Sequence, residues 1–269
     1  MSMSTLSRCA LVALMVLCFA ILGMSIHEFI PFQMSFPMDM ARSISGLVGT
    51  LFAIVLGLLV SSSYNAFNGH QADLNSLVTV LANIDLLLKR FQAKDNASRH
   101  ILREIVIALH CRYWPEKNGT HWKKVGYANL SDDIDGMIEI NKIAESMPGV
   151  TQDDINAIRQ LSSNFVTTQS NIIRNLSNQV PSLLLFIIFG WACLLFFLYG
   201  CTGEASLFSA FLLSMGSLAV ASTNFLILEL TQPYHGIFKV SSAALDLLID
   251  SMNKDQQELS SNKQPATFI

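Results

Sequence analysis

Long uninterrupted apolar runs alternate with segments in which apolar residues return every three or four positions, and the two patterns divide the chain. Four runs are free of charge and long enough for a helix to cross a hydrocarbon core, which takes about 20 residues. They extend from Cys9 to Ile26, Ile44 to Ser63, Ser182 to Tyr199 and Ser206 to Leu228, with Arg42 and Glu229 marking limits. Arg8 before the first run would suit a secretory leader. The run is longer than the roughly 7–15 apolar residues of a leader, however, and no convincing small-x-small cleavage site precedes His27. Four membrane spans are expected.

Between the second and third runs the spacing changes. Leu74, Leu77, Val78, Leu81, Ile84, Leu88 and Phe91 recur at three- and four-residue steps, the period of an amphipathic helix. No proline separates them from the second run, so one helix from Ile44 to Arg90 is expected, about 70 Å long at about 1.5 Å per residue. A further helix is expected from Ser98 to Tyr113, presenting Ile101, Leu102, Ile105, Val106 and Leu109 and ending before Pro115. Pro115 to Leu130 reads as a loop, and Ser131 as the N-cap of a short helix that carries Ile134, Met137, Ile138 and Ile143 and closes at Pro148-Gly149. Thr151 and Asp154 resemble a capping box opening a long helix with Ile155, Ile158, Leu161, Phe165, Ile172, Leu176 and Val180, which Pro181 could kink at the third span. No alternating strand pattern of any length occurs. The expected fold is an all-α membrane protein of four transmembrane helices with helical cytoplasmic extensions. Its parts are a first helix pair at 1–63, a helical region at 64–181, a second pair at 182–228 and a C-terminal tail at 229–269.

Composition narrows the class. The 269 residues are 51% hydrophobic and 14% charged, against about 25% charged in soluble domains, which excludes a disordered tail or a conventional soluble enzyme. A net charge of -3 with scattered basic residues argues against nucleic-acid binding, which concentrates Lys and Arg to neutralise phosphates. Five cysteines without a C-x-x-C suggest neither a disulfide framework nor a zinc finger. With four spans, all 17 Lys and Arg except Arg42 fall on the side of the two termini, so that side is expected to be cytoplasmic. Glycosylation sequons at Asn96, Asn118, Asn129 and Asn175 are read as chance matches in a chain rich in Ser, Thr and Asn.

Candidate chemistry is sparse. His100, His110, Cys111 and His121 are metal-ligand types in one window, but their spacing fits no known site and helical phase separates His100 from His110. Asp132, Asp133 and Asp135 do not complete the full pattern of a calcium loop with its Gly and terminal Glu, and are expected to complement a helix N-terminus. No nucleophile elbow, phosphate loop, dinucleotide fingerprint or zinc-protease motif occurs, and the spans hold no Asp, Glu, Lys, Arg or His. No catalysis, cofactor or metal is expected. The spans do hold small residues in register: Gly46, Thr50, Ala53, Ile54, Gly57 and Ser61 on the second, and Ala210, Ser214, Ser217 and Ala221 on the fourth. Such rows permit close helix packing, the expectation for the fourth span. For the second span a sharper alternative stands beside packing. Thr50, Ile54, Gly57 and Ser61 would line an oligomer axis, with Thr50 and Ser61 hydroxyls touching ions and Ile54 narrowing the path.

Two stretches resemble a known family. Gly57-Leu-Leu-Val-Ser-Ser-Ser-Tyr64-Asn65-Ala-Phe67-Asn68 is similar to the end of the second span in bestrophins, where Tyr64, Asn65 and Phe67 match an aromatic-Asn-x-aromatic signature. Leu228-Glu-Leu-Thr231-Gln-Pro233-Tyr-His-Gly236, followed by Ile237-Phe-Lys-Val-Ser241-Ser242, resembles the C-terminal motif of bacterial bestrophin-like proteins, with Pro233 and Gly236 as its structural residues. The resemblance covers most of residues 44–250. It implies a homo-oligomer, pentameric as in bestrophins proper, whose partners are its own copies, the lipid bilayer and inorganic ions. The second span would line the pore of an ion channel, and bestrophins proper conduct anions. The acidic clasp that senses calcium in animal bestrophins has no counterpart, so calcium gating is not implied. Thr50 and Ile54 stand near the family's aromatic neck rings, and Thr231 where the bacterial pattern has Asp. The leading expectation is an oligomeric ion channel of the bacterial inner (plasma) membrane with both termini cytoplasmic. The alternative is a non-conducting scaffold or sensor whose cytoplasmic helices bind a protein partner.

Overall fold

A computed structural model of the chain describes residues 5–29, 38–91, 97–114, 127–147, 149–177, 182–203, 206–234 and 237–262. Among these the regular elements are all helices: α1 (Thr5–Phe29), α2 (Met38–Phe91), α3 (Ala97–Tyr113), α4 (Tyr127–Ser146), α5 (Gln152–Ser177), α6 (Ser182–Thr202), α7 (Leu207–Leu230) and α8 (Ala243–Asn262). Stretches of α1, α2, α6 and α7 are long and apolar enough to cross a membrane. The chain forms two compact units, one of residues 1–67 and 179–238, the other of residues 68–178 and 239–269. The expected single helix from Ile44 to Arg90 is found, because no proline or turn sequence interrupts α2.

In the first unit α1 lies along α6 and α7. Val16 and Ala20 of α1 join Phe52 and Leu59 of α2, Ile188, Ala192, Leu195 and Phe196 of α6, and Ile227 of α7 in one core. The tightest approach is glycine on glycine. A Cβ on Gly23 would lie 2.2 Å from the Phe197 carbonyl oxygen, and one on Gly200 would lie 2.2 Å from that of Ala20. Lipid offers no hydrophobic drive for helix association, so backbone proximity permitted by missing side chains supplies the dispersion contacts.

The second unit is built from the rest of α2 with α3, α4, α5 and α8. Its interior takes the expected apolar rows, including Leu74, Leu77, Leu81, Ile84 and Leu88 of α2, Leu102, Ile105, Val106 and Leu109 of α3, and Ile158, Phe165 and Ile172 of α5. Thr151 caps α5, its Oγ1 accepting from the Asp154 backbone N–H at 3.2 Å and donating to Asp154 Oδ2 at 2.6 Å. Val180, Pro181 and residues 115–126 lie outside the described residues.

Two expectations need correcting here. Helix α4 starts at Tyr127, not after Ser131, which is exposed inside it. Its buried row of Leu130, Asp133, Met137, Ile140 and Ala144 begins a turn earlier than the serine suggested. Within the acidic group, Asp133 does not serve a helix end: it is 2% exposed, receives Arg112 Nη2 at 2.8 Å and accepts from Gln169 Nε2 at 2.7 Å. The hydrogen bond to Asp133 pushes the Arg112 guanidinium further up in pKa. The C-terminal tail contains α8, whose Leu245, Leu248 and Met252 are buried at three- and four-residue steps.

Candidate functional site

The membrane-spanning part of α2 carries three faces. Ala41, Ser45, Phe52, Leu59 and Ser63 are buried and fall in one row at about 100° per residue. Gly49 belongs beside that row, where a Cβ would come within 3.2 Å of the Tyr199 hydroxyl on α6. About half a turn away at the same period lies the row of small residues. Thr50, Ala53 and Ser61 are exposed, Ile54 is 56% exposed, and a Cβ added at Gly46 or Gly57 would meet nothing within 4 Å. The third face holds Ile44, Leu47, Leu51 and Leu58, large and exposed.

The row on α7 has the opposite fate. Ser217 and Ala221 are each 4% exposed, and Ala210 and Ser214 are half-buried. Gly216 lets the Phe196 ring come so near that a Cβ there would lie 3.0 Å from it. Two rows that look alike in sequence are thus separated by packing, one closed by its own chain and the other open.

The open row is uncharged and weakly polar. Thr50 Oγ1 donates to the Gly46 carbonyl at 2.9 Å, which satisfies the hydroxyl proton within the helix and turns its lone pairs outward. Gly46 and Gly57 bare backbone on the same side, and Ile54 adds an apolar surface between the hydroxyls. Of the motif residues, Tyr64 is 55% exposed, Asn65 is exposed and Phe67 is half-buried, all on α2. Pro233 is buried in the turn after α7, and Gly236 lies outside the described residues.

The histidine window does not assemble. His110 Nε2 meets Asp246 Oδ1 of α8 at 2.9 Å, while His100 Nδ1 lies 3.5 Å from Glu104 on its own helix. His121 lies outside the described residues, among which no group of His, Cys, Asp or Glu could hold a metal ion. Two sequons fall within helices: Asn175 is engaged there through its Nδ2, which donates to Asp73 at 2.9 Å, and the Asn129 backbone carbonyl accepts from Arg112. Among the buried groups that the sequence pattern missed is Glu229, which is 3% exposed and whose Oε2 accepts from the Ile237 backbone N–H at 2.6 Å. An acid directly after an apolar run and before a proline turn was the available signal, but polarity alone places such a residue in water.

The Bestrophin-like domain family matches residues 13–245. This chain belongs to the bestrophin-like family. Among solved structures, the bestrophin-like chain is similar to a bacterial bestrophin homologue from Klebsiella pneumoniae at 15% identity and a TM-score of 0.65, covering 97% of this chain and 100% of that one. A point variant of that homologue aligns at 13% identity with a TM-score of 0.70, again covering 97% and 100%. No curated protein matches the chain. The all-helical arrangement with four apolar helices is therefore the bestrophin fold, and the bestrophin-like chain is a membrane protein.

Proposed function

We propose that this chain is one subunit of an oligomeric ion channel in the bacterial inner membrane, with α2 facing a central pathway. The carrying observation is that the small uncharged row of α2 stays open where the similar row of α7 is packed. Small residues and hydroxyls gain little against acyl chains, whereas the leucine face about a quarter turn away suits lipid or a neighbouring helix. Copies arranged around an axis, five by kinship with bestrophins, put Thr50, Ile54, Gly57 and Ser61 in successive rings. The Thr50 and Ser61 oxygens then stand in for part of an ion's hydration, and the Ile54 ring gates by excluding water when narrow. The row carries no fixed charge, so a preference for anions rests on kinship alone. The basic-rich second unit is cytoplasmic in this arrangement.

Purified protein in planar bilayers tests the proposal. Unitary currents should appear, fall with Thr50→Trp and rise with Ile54→Ala; silence at every pH, calcium level and voltage would contradict conduction. A scaffold role is favoured by Leu86, 60% exposed in an open groove of about 280 Å³ that Asn83, Leu87, Arg90 and Leu161 also line. A stoichiometric partner that co-purifies and is lost with Leu86→Glu would support that role instead.

A further inference from the structure

We propose that the segment following α7 is a membrane-surface anchor: Ile237 and Phe238 insert among lipid headgroups, and the buried Glu229 holds them at that depth. The inference depends on membrane insertion and not on conduction.

Helix α7 is one of the apolar helices long enough to cross the bilayer, and it ends at Leu230. The chain does not run away from that end. Pro233 and Tyr234 are buried in the turn that follows. The Ile237 backbone N–H then donates to Glu229 Oε2 at 2.6 Å, which brings the chain back to the last turn of α7. Glu229 sits where the helix dipole disfavours a negative charge and is 3% exposed, so the bond to Ile237 supplies compensation that neither water nor the helix provides.

The return places two large apolar side chains beside the end of a span with their surfaces uncovered, Ile237 at 71% exposure and Phe238 at 44%. In water this adjacent pair would gain nothing. At the boundary between headgroups and acyl chains an aliphatic and an aromatic side chain gain transfer energy, and an aromatic ring is favoured at that level. Lys239, next in sequence, adds the cation that anionic headgroups attract. An apolar pair flanked by a cation and fixed level with a helix end matches a lipid surface containing anionic lipid.

Phe238→Trp in the full chain, reconstituted in phosphatidylethanolamine–phosphatidylglycerol vesicles, provides the test, with the unaltered chain measured alongside to subtract Trp114, Trp122 and Trp191. Lipid brominated high on its acyl chain should lower the added emission at least twofold, while aqueous iodide leaves it nearly unchanged. Quenching by iodide but not by brominated lipid would overturn the proposal in favour of water. Quenching by neither would overturn it in favour of cover by a second copy. With Glu229→Ala added, quenching should pass from brominated lipid to iodide, whereas Glu229→Gln, which keeps an acceptor, should leave it with the lipid. Unchanged lipid quenching in Glu229→Ala would remove Glu229 from its positioning role.

Discussion

Asp255 shows how a single carboxylate ties α8 into the second unit. It receives Lys89 Nζ at 2.8 Å and Arg99 Nη2 at 3.0 Å, and Arg99 is shared with Asp85, reached by its Nε at 2.7 Å. The hydrogen bond from Lys89, with that from Arg99, holds the Asp255 carboxyl below its ordinary value despite burial. A carboxyl lowered in the folded state stabilises fully above its unfolded value, about 3.9, and that contribution disappears as pH falls through the folded value. Thermal unfolding of Asp255→Asn should therefore show lower stability than the unaltered chain at neutral pH and a shallower decline below about pH 4. An identical decline in both proteins would show that the Asp255 pairing contributes nothing. Residues of this kind are poorly legible in sequence: Asp133 and Glu229 are buried because of what packs over them, and neither periodicity nor composition encodes the partner.

Helices were readable from the sequence where local signals agreed and less so where one was taken alone. The absence of a breaker between Ile44 and Arg90 sufficed for α2, and the Thr151 cap sufficed for the start of α5. Ser131 misled because a polar residue that caps well also sits comfortably on an exposed helical face, and the row from Leu130 outweighed it. The small-residue rows show the deeper limit, since the sequences of α2 and α7 allow packing or exposure equally. Glycines turn this difference into a prediction. Gly23→Ala forces a Cβ against backbone on α6, so α1 and α6 must separate, a cost of about 1–3 kcal/mol visible as earlier thermal unfolding. Gly57→Ala meets open space in the chain, so unfolding should come no earlier, and later by up to about 1 kcal/mol from the gain in helix propensity, while conduction alters. A fold that tolerates Gly23→Ala and fails with Gly57→Ala would reverse the assignment of packed and open faces.

On the scale of the whole molecule, two units share one chain through α2, and the membrane-spanning unit alone leaves an uncharged polar face uncovered. In the proposed assembly water and other copies of the protein meet that face. The class, the four spans and the family were legible because hydropathy and two short motifs are local properties of the chain. The number of copies and the route between them are properties of an assembly, which one chain's periodicity does not specify. The most direct measurement is an electron-microscopic reconstruction of the purified protein in lipid, viewed along the membrane normal. The account predicts a closed ring of subunits around an open axis, with Thr50, Ile54, Gly57 and Ser61 of every copy facing it. A monomer, or a ring in which that face of α2 meets lipid or is sealed against another helix, would contradict it.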